Sequence, residues 1–162
     1  MDKSPMFKAM FEIDLSEKHK QRIPLPGKKY TDFVNFLYTF YNPELVAPIT
    51  EKNVLVAGSL ADEYQIMDLK DKCESFILEN CKRASENREI CIDIETLLEY
   101  ASYAENHNMP LALSLIIKLC SKHSNESLKK ANLEAKVSAD THRKILDIRC
   151  SLMERKVATI QL

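Results

Sequence analysis

Tryptophan is absent from this 162-residue chain, and glycine occurs twice, at Gly27 and Gly58. So little glycine leaves phosphate-cradling loops and tight two-residue hairpins almost without material, and long helices are favoured instead. An excess of charge of one sign is also missing. The 23 basic and 24 acidic residues are well mixed and give a formal net charge of -1, too weak a field to gather a nucleic-acid backbone. Nor is there a long apolar run: Leu111 to Cys120 is broken by Ser114 and Lys118, well short of the ~20 residues that span a bilayer. No basic-then-apolar leader opens the chain. The expectation is an intracellular protein of cytoplasm or nucleus, with no nucleic-acid and no membrane partner. Five cysteines, an odd number without a secretory signal, read as free thiols, most of them in the core or half-buried.

What is present suits folding. Apolar residues make up 45% and charged residues 29%, the balance of a soluble globular domain, and the length fits one unit with subdomains. The class expected is mainly α, α+β at most. Ser4-Pro5 reads as an N-cap followed by proline at the first helical position, opening a helix that ends near Glu12. The two prolines of "QRIPLPG" disfavour helix for the residues before them, and a short edge strand is expected there, with Gly27 in a turn. From Tyr30 to Tyr41 lie six of the 12 aromatic residues. Phe33, Phe36, Leu37 and Phe40 share helical spacing, and Val34 and Tyr41 widen the stripe until the helix is expected in the centre of the core. Thr50 with Glu51 marks a further helix start, and a tight connection at Gln65-Ile66 turns the chain into a second helix. That pattern returns 43 residues later, with Ala61/Ala104, Asp62/Glu105, Ile66/Met109 and Cys73/Ile116 in register, as in a repeated helical hairpin. Polar Arg83 to Asp93 reads as the subdomain boundary. Ile145, Ile148 and Leu152, with Leu146, Met153, Val157 and Ile160, make a terminal amphipathic helix that packs on the body or docks a partner.

Sites for chemistry are scarce. Gly58-Ser59 lacks the second glycine of a nucleophile elbow, and no phosphate-binding loop motif occurs. Cys120-x-x-His123 has half a zinc-site spacing without a second pair, so neither metal nor cofactor is expected. His19, His107, His123 and His142 read as surface imidazoles, and a small helical enzyme built on Cys120 or His123 is the weakest hypothesis. The basic cluster Lys18, His19, Lys20, Arg22, Lys28 and Lys29 reads as a solvated loop.

The order S-P-M-F-K-A-M-F, then F-x-x-F-L-Y-x-x-Y, then A-D-x-Y-x-I-x-x-L-K-x-x-C-E, over Ser4 to Cys81, resembles the BTB/POZ domain, most closely that of MATH–BTB proteins. Ile94 to His123 resembles the helical 3-box that follows it. The resemblance implies homodimers, pairing with other BTB proteins, and substrate adaptors for cullin-3 ubiquitin ligases. It also implies a partner contact: a hydrophobic residue, any residue and a glutamate after the first helix touch cullin-3, and Leu15-Ser16-Glu17 match that pattern. One exposed Leu filling a small pocket, with a carboxylate two residues on for register, is sound recognition chemistry.

The resemblance further implies a truncated module. Met1 stands just before the S-x-x-F helix, so the strands that usually precede it, and with them much of the dimer surface, are expected to be missing, as is a MATH domain. The expected division is a BTB/POZ-like domain at 1–82, a 3-box-like extension at 83–123 and a helical tail at 124–162. A structural or oligomerising protein without a ligase role is the other reading.

Overall fold

A computed structural model describes residues 4–12, 25–41, 48–87 and 91–160; at helix-end residues 10–12, 40–41, 156–157 and 159–160 it describes the backbone alone. Among the described residues there are nine helices and no strand. Of the expected edge strand, residues 21–24 lie outside the description, and Leu25 to Gly27 lead into a turn closed by Lys28 N on Leu25 O at 3.3 Å, with Gly27 at φ +78°. That left-handed backbone is the conformation glycine permits.

The chain divides into two compact units, Met1–Phe76 and Ile77–Leu162. The first contains α1 (Pro5–Glu12), α2 (Tyr30–Tyr41), α3 (Val54–Glu63) and the start of α4 (Met67–Glu86). Its core is Phe7, Phe36, Val54, Leu60, Ala61, Tyr64, Ile66, Leu69 and Cys73. Helix α2 packs on α3 but is not the central helix its composition suggests. Phe36 is 1% exposed, whereas Tyr30 and Tyr38 stand at 82% and 65%. Tyrosine carries a hydroxyl that tolerates water, and with these two in solvent the helix expected to be apolar nearly all round is in fact two-faced. Helix α3 begins at Val54, later than Thr50 suggests. Thr50 O receives Val54 N at 2.9 Å, while the Asn53 side chain turns back to Thr50 N at 2.7 Å and Pro48 O at 3.1 Å, making residues 50–53 a turn ahead of the helix.

The second unit takes the rest of α4 and then α5 (Ile94–Asn106), α6 (Pro110–Cys120), α7 (Asn125–Lys130), α8 (Leu133–Lys136) and α9 (Ala139–Ile160). Helix α5 packs on α6 and α8, and α6 and α8 on α9, around buried Leu97, Leu98, Tyr100, Ala101, Ile116, Cys120 and Ile145. Asp93 caps α5, its carboxylate accepting from Thr96 N at 2.9 Å and Thr96 Oγ1 at 2.7 Å. Pro110 starts α6, where its missing N–H costs nothing.

The spacing of 43 residues is structural. At the end of α3, Gln65 is left-handed (φ 55°), with Ile66 N on Ala61 O at 2.7 Å and Gln65 N on Asp62 O at 3.1 Å. At the end of α5, Asn108 is left-handed (φ 53°), with Met109 N on Ala104 O at 2.9 Å and Asn108 N on Glu105 O at 3.5 Å. Both are Schellman closures, in which buried Ile66 and Met109 supply the apolar residue that follows the turn. Asparagine tolerates the left-handed region through local hydrogen bonding, whereas glutamine bears the full Cβ cost. Gln65→Gly is therefore expected to stabilise the protein by about 0.5–1 kcal/mol and Asn108→Gly by less, as read from urea-unfolding midpoints.

Candidate partner-binding site

Leu15, Ser16 and Glu17 lie outside the described residues, as do Lys18, His19, Lys20 and Arg22. What is described is the helix that leads to them. Ser4 is buried and serves two helix ends at once: its Oγ accepts from Phe7 N at 3.2 Å, capping α1, and donates to Tyr64 O at 2.6 Å, at the C-terminus of α3. Helix ends carry unpaired N–H and C=O groups, so one hydroxyl satisfies a donor and an acceptor that would otherwise be orphaned. Below it, Phe7 stacks on Tyr64 with centroids 4.8 Å apart and planes at 18°. Phe33 and Phe36 approach the same ring at 5.6 and 5.8 Å. Tyr64 is the hub of this aromatic cluster, and burial pushes its phenol up, with Glu63 adding to the shift and Lys28 opposing it.

The surroundings of Tyr64 give physical roles to the A-D-x-Y-x-I-x-x-L-K-x-x-C-E run. Asp62 pairs with Lys70 at 2.5 Å across the α3–α4 turn, and Lys70 also reaches Glu74 at 4.0 Å. The Asp62 hydrogen bond is the main reason the Lys70 ammonium is held above its ordinary value. Ala61, Ile66, Leu69 and Cys73 are buried. Lys28 forms an ion pair with Glu63, so this member of the basic cluster is committed within its own unit, while Lys29 is exposed.

In the second unit, two polar clamps fix α9. The Glu105 carboxylate accepts from Ser138 N at 3.1 Å and Ser138 Oγ at 2.5 Å, and Ser138 Oγ accepts from Thr141 N at 3.2 Å. Burial pushes the Glu105 carboxyl up, but the hydrogen bonds from Ser138 and Thr141 outweigh it and hold the group below the ordinary 4.5. Arg149 donates to His123 O, to Ser121 O at 3.4 Å and to Asn125 Oδ1, gripping the α6–α7 connection. Neither clamp is legible in the sequence, because each joins residues more than 20 positions apart without a motif.

Cys120 and His123 do not form a reactive pair. Cys120 is fully buried, and burial, with Cys81 nearby, pushes its thiol up to about 12. A thiol protonated at neutral pH is no nucleophile. His123 is half-buried and burial disfavours its charged form, with Asp93 opposing. His107 and His142 are half-buried rather than surface groups, His107 lying against Tyr103 with centroids 4.0 Å apart. All five thiols are free, Cys91 and Cys150 exposed and the other three buried. Among the described residues no three His, Cys, Asp or Glu side chains are gathered to hold a metal ion, and no helix is long and apolar enough to cross a membrane.

A family model for the BTB/POZ domain matches residues 1–81, the stretch that contains Ser4, Tyr64 and the α3–α4 turn. The chain belongs to the BTB/POZ domain family. Among its relatives, Kelch-like protein 23 of Homo sapiens is 32% identical over 66% of this chain and 17% of its own length. BTB and MATH domain-containing protein 38 of Caenorhabditis elegans is 33% identical over 46% of this chain and 19% of its own. A BTB/POZ domain-containing protein of Arabidopsis thaliana is 25% identical over 98% of this chain and 60% of its own. The chain thus spans less than a fifth of these Kelch-like and MATH-containing relatives' own length. No solved structure matches it.

Ser4→Ala removes a cap and leaves Tyr64 O without this donor, so a loss of about 1–2 kcal/mol is expected in urea unfolding, with faster amide exchange in α1 than in α3. Glu105 stabilises the fold at pH above its unfolded value near 4.5, and that contribution is lost as pH falls through its lower folded value. The urea midpoint should therefore drop on acidification through this window, and less so in Glu105→Gln.

Proposed function

We propose that this BTB/POZ-family chain is a protein-interaction module that serves as substrate adaptor or scaffold for a cullin-3 ubiquitin ligase, in the cytoplasm or nucleus. It does no chemistry of its own; ubiquitin transfer belongs to the ligase it recruits. Leu15, Ser16 and Glu17 carry the cullin contact, Leu15 as the apolar anchor and Glu17 as the charged hydrogen-bonding group. Residues 1–82 form the BTB/POZ-like domain, 83–123 a 3-box-like extension that adds surface, and 124–162 a helical tail. The observation that supports this reading best is the anchoring of α1. The helix ending at Glu12 is tied to the core through Ser4 and Phe7 on Tyr64, so the motif follows a fixed helix in the sequence, and a contact motif is useful only when presented from a firm base.

A second reading, a structural or oligomerising BTB protein without a ligase role, is favoured by the exposed Tyr30 and Tyr38 on α2 and exposed Met6 on α1, since exposed apolar surface on a folded unit marks association sites. These exposed side chains suit pairing of the chain with itself or with another BTB protein.

Size-exclusion chromatography with light scattering, run with and without the cullin-3 N-terminal domain, separates the two. The adaptor reading expects a co-eluting complex. The Leu15→Ala, Glu17→Ala double variant should weaken it by roughly 10- to 30-fold, as for loss of a small hot spot, with an unchanged circular dichroism spectrum. Equal affinity for wild type and double variant removes these residues from the mechanism, and no complex at all favours the second reading.

A further inference from the structure

Helix α9 carries two apolar stripes, and the fold uses one. Thr141 and Ile145 are buried and Ile148 and Leu152 half-buried, a stripe with steps of four, three and four residues on the helix that packs on α6 and α8. The second stripe is Leu146, Cys150 and Met153. Leu146 is 37% and Met153 50% exposed, and Cys150 is an exposed free thiol. At 3.6 residues per turn the two stripes lie roughly a third of a turn apart, so packing that covers the first leaves the second only partly covered. The steps of the second stripe are four then three, and the sequence continues them at Val157 and Ile160. That alternation is the spacing of a coiled-coil seam, kept here from Leu146 to Ile160, with Arg143 at the a position before it.

The charges beside the seam choose the occupant and its direction. With Cys150 at an a position and Met153 at d, Arg149 falls at g and Asp147 and Glu154 at e. Two parallel copies bring g of one helix against the following e of the other, which sets Arg149 against Glu154 of the second copy. Two antiparallel copies bring e against e, acid on acid at Asp147 and Glu154. Arg149 is also preorganised. Its hydrogen-bond acceptors, Ser121 O, His123 O and Asn125 Oδ1, are neutral, so they fix the guanidinium without cancelling its charge. We propose that a second copy of this chain docks on α9 in parallel, with Leu146, Cys150 and Met153 in the seam and Arg149 paired to Glu154 across it. This interface belongs to the second unit and does not rest on the cullin-3 reading.

In that register Cys150 meets its own copy across the two-fold axis, which makes the proposal measurable. The full chain with Cys91→Ser keeps Cys150 as its one exposed thiol among the five cysteines. Treated with diamide, the two Cys150 thiols lose two protons and two electrons, which the diamide takes up as its hydrazine, and one S–S bond forms. A dimer on a non-reducing gel is expected, absent in Cys150→Ser and suppressed in Met153→Glu. Light scattering on reduced protein should show a dimer whose dissociation constant rises at least about tenfold in Met153→Glu, by the burial of a charge in an apolar seam, with helix content unchanged. Glu154→Lys, at an exposed position outside the core, should weaken the dimer more at low salt than at high salt. The proposal is overturned by a monomer at every accessible concentration, by a dimer whose mass ignores both Met153→Glu and Glu154→Lys, or by a dimer sensitive to Met153→Glu that yields no Cys150 cross-link.

Discussion

One buried hydroxyl sets the first unit. Ser4 both starts α1 and seals the C-terminal carbonyl of α3 through Tyr64, and the stack of Phe7 on the same tyrosine repeats the tie in apolar terms. The polar and apolar contacts depend on one another. The hydroxyl reaches the carbonyl only while α1 lies against the aromatic cluster, and the cluster stays closed only while α1 covers Tyr64. Interactions that share a residue in this way couple, so their contributions do not add. The position of α1 relative to α3 is thus better determined than either contact alone implies.

A different economy governs the second unit. Its apolar core is drawn mainly from α4 to α6 and reaches α9 through Ile145, and the long terminal helix is held by side chains that meet helix ends: Glu105 at the Ser138 turn and Arg149 on the carbonyls after α6. Carbonyls at a helix C-terminus carry partial negative charge and amides at an N-terminus partial positive charge, so a guanidinium at the first and a carboxylate at the second match the dipoles. The same residues position α9 and leave one of its faces open, which is why a helix with modest packing can be both well placed and available.

Much of this was legible in the sequence, for identifiable reasons. Helical class follows from the scarcity of glycine, and the start of α1 from Ser4 and Pro5. The repeated turn is readable because helix, apolar residue and helix recur at a fixed distance, and local chemistry closes it. Reading failed where a residue has two characters or a partner far away. Reading Val34 and Tyr41 as widening the stripe of Phe33, Phe36, Leu37 and Phe40 put α2 at the centre, although its Tyr30 and Tyr38 are exposed. Thr50 and Glu51 looked like a helix start, because nothing in the pattern says that Asn53 will fold back on Thr50 and Pro48. The second role of Ser4 needs a carbonyl 60 positions away. For the candidate site itself, the resemblance supplies Leu15, Ser16 and Glu17 by motif, and the structure describes the base from which they leave rather than the residues themselves.

The two Schellman turns carry a consequence for the unfolded chain. Both left-handed positions are held by residues with a side chain, Gln65 and Asn108, where many helices end on glycine. Glycine in the denatured ensemble samples far more backbone conformations than glutamine or asparagine, and that freedom must be surrendered on folding. Keeping side chains at these junctions raises the energy of the native turn while lowering the entropy of the state it competes with. The helix pairs are therefore joined by connections that stay comparatively stiff before any tertiary contact has formed.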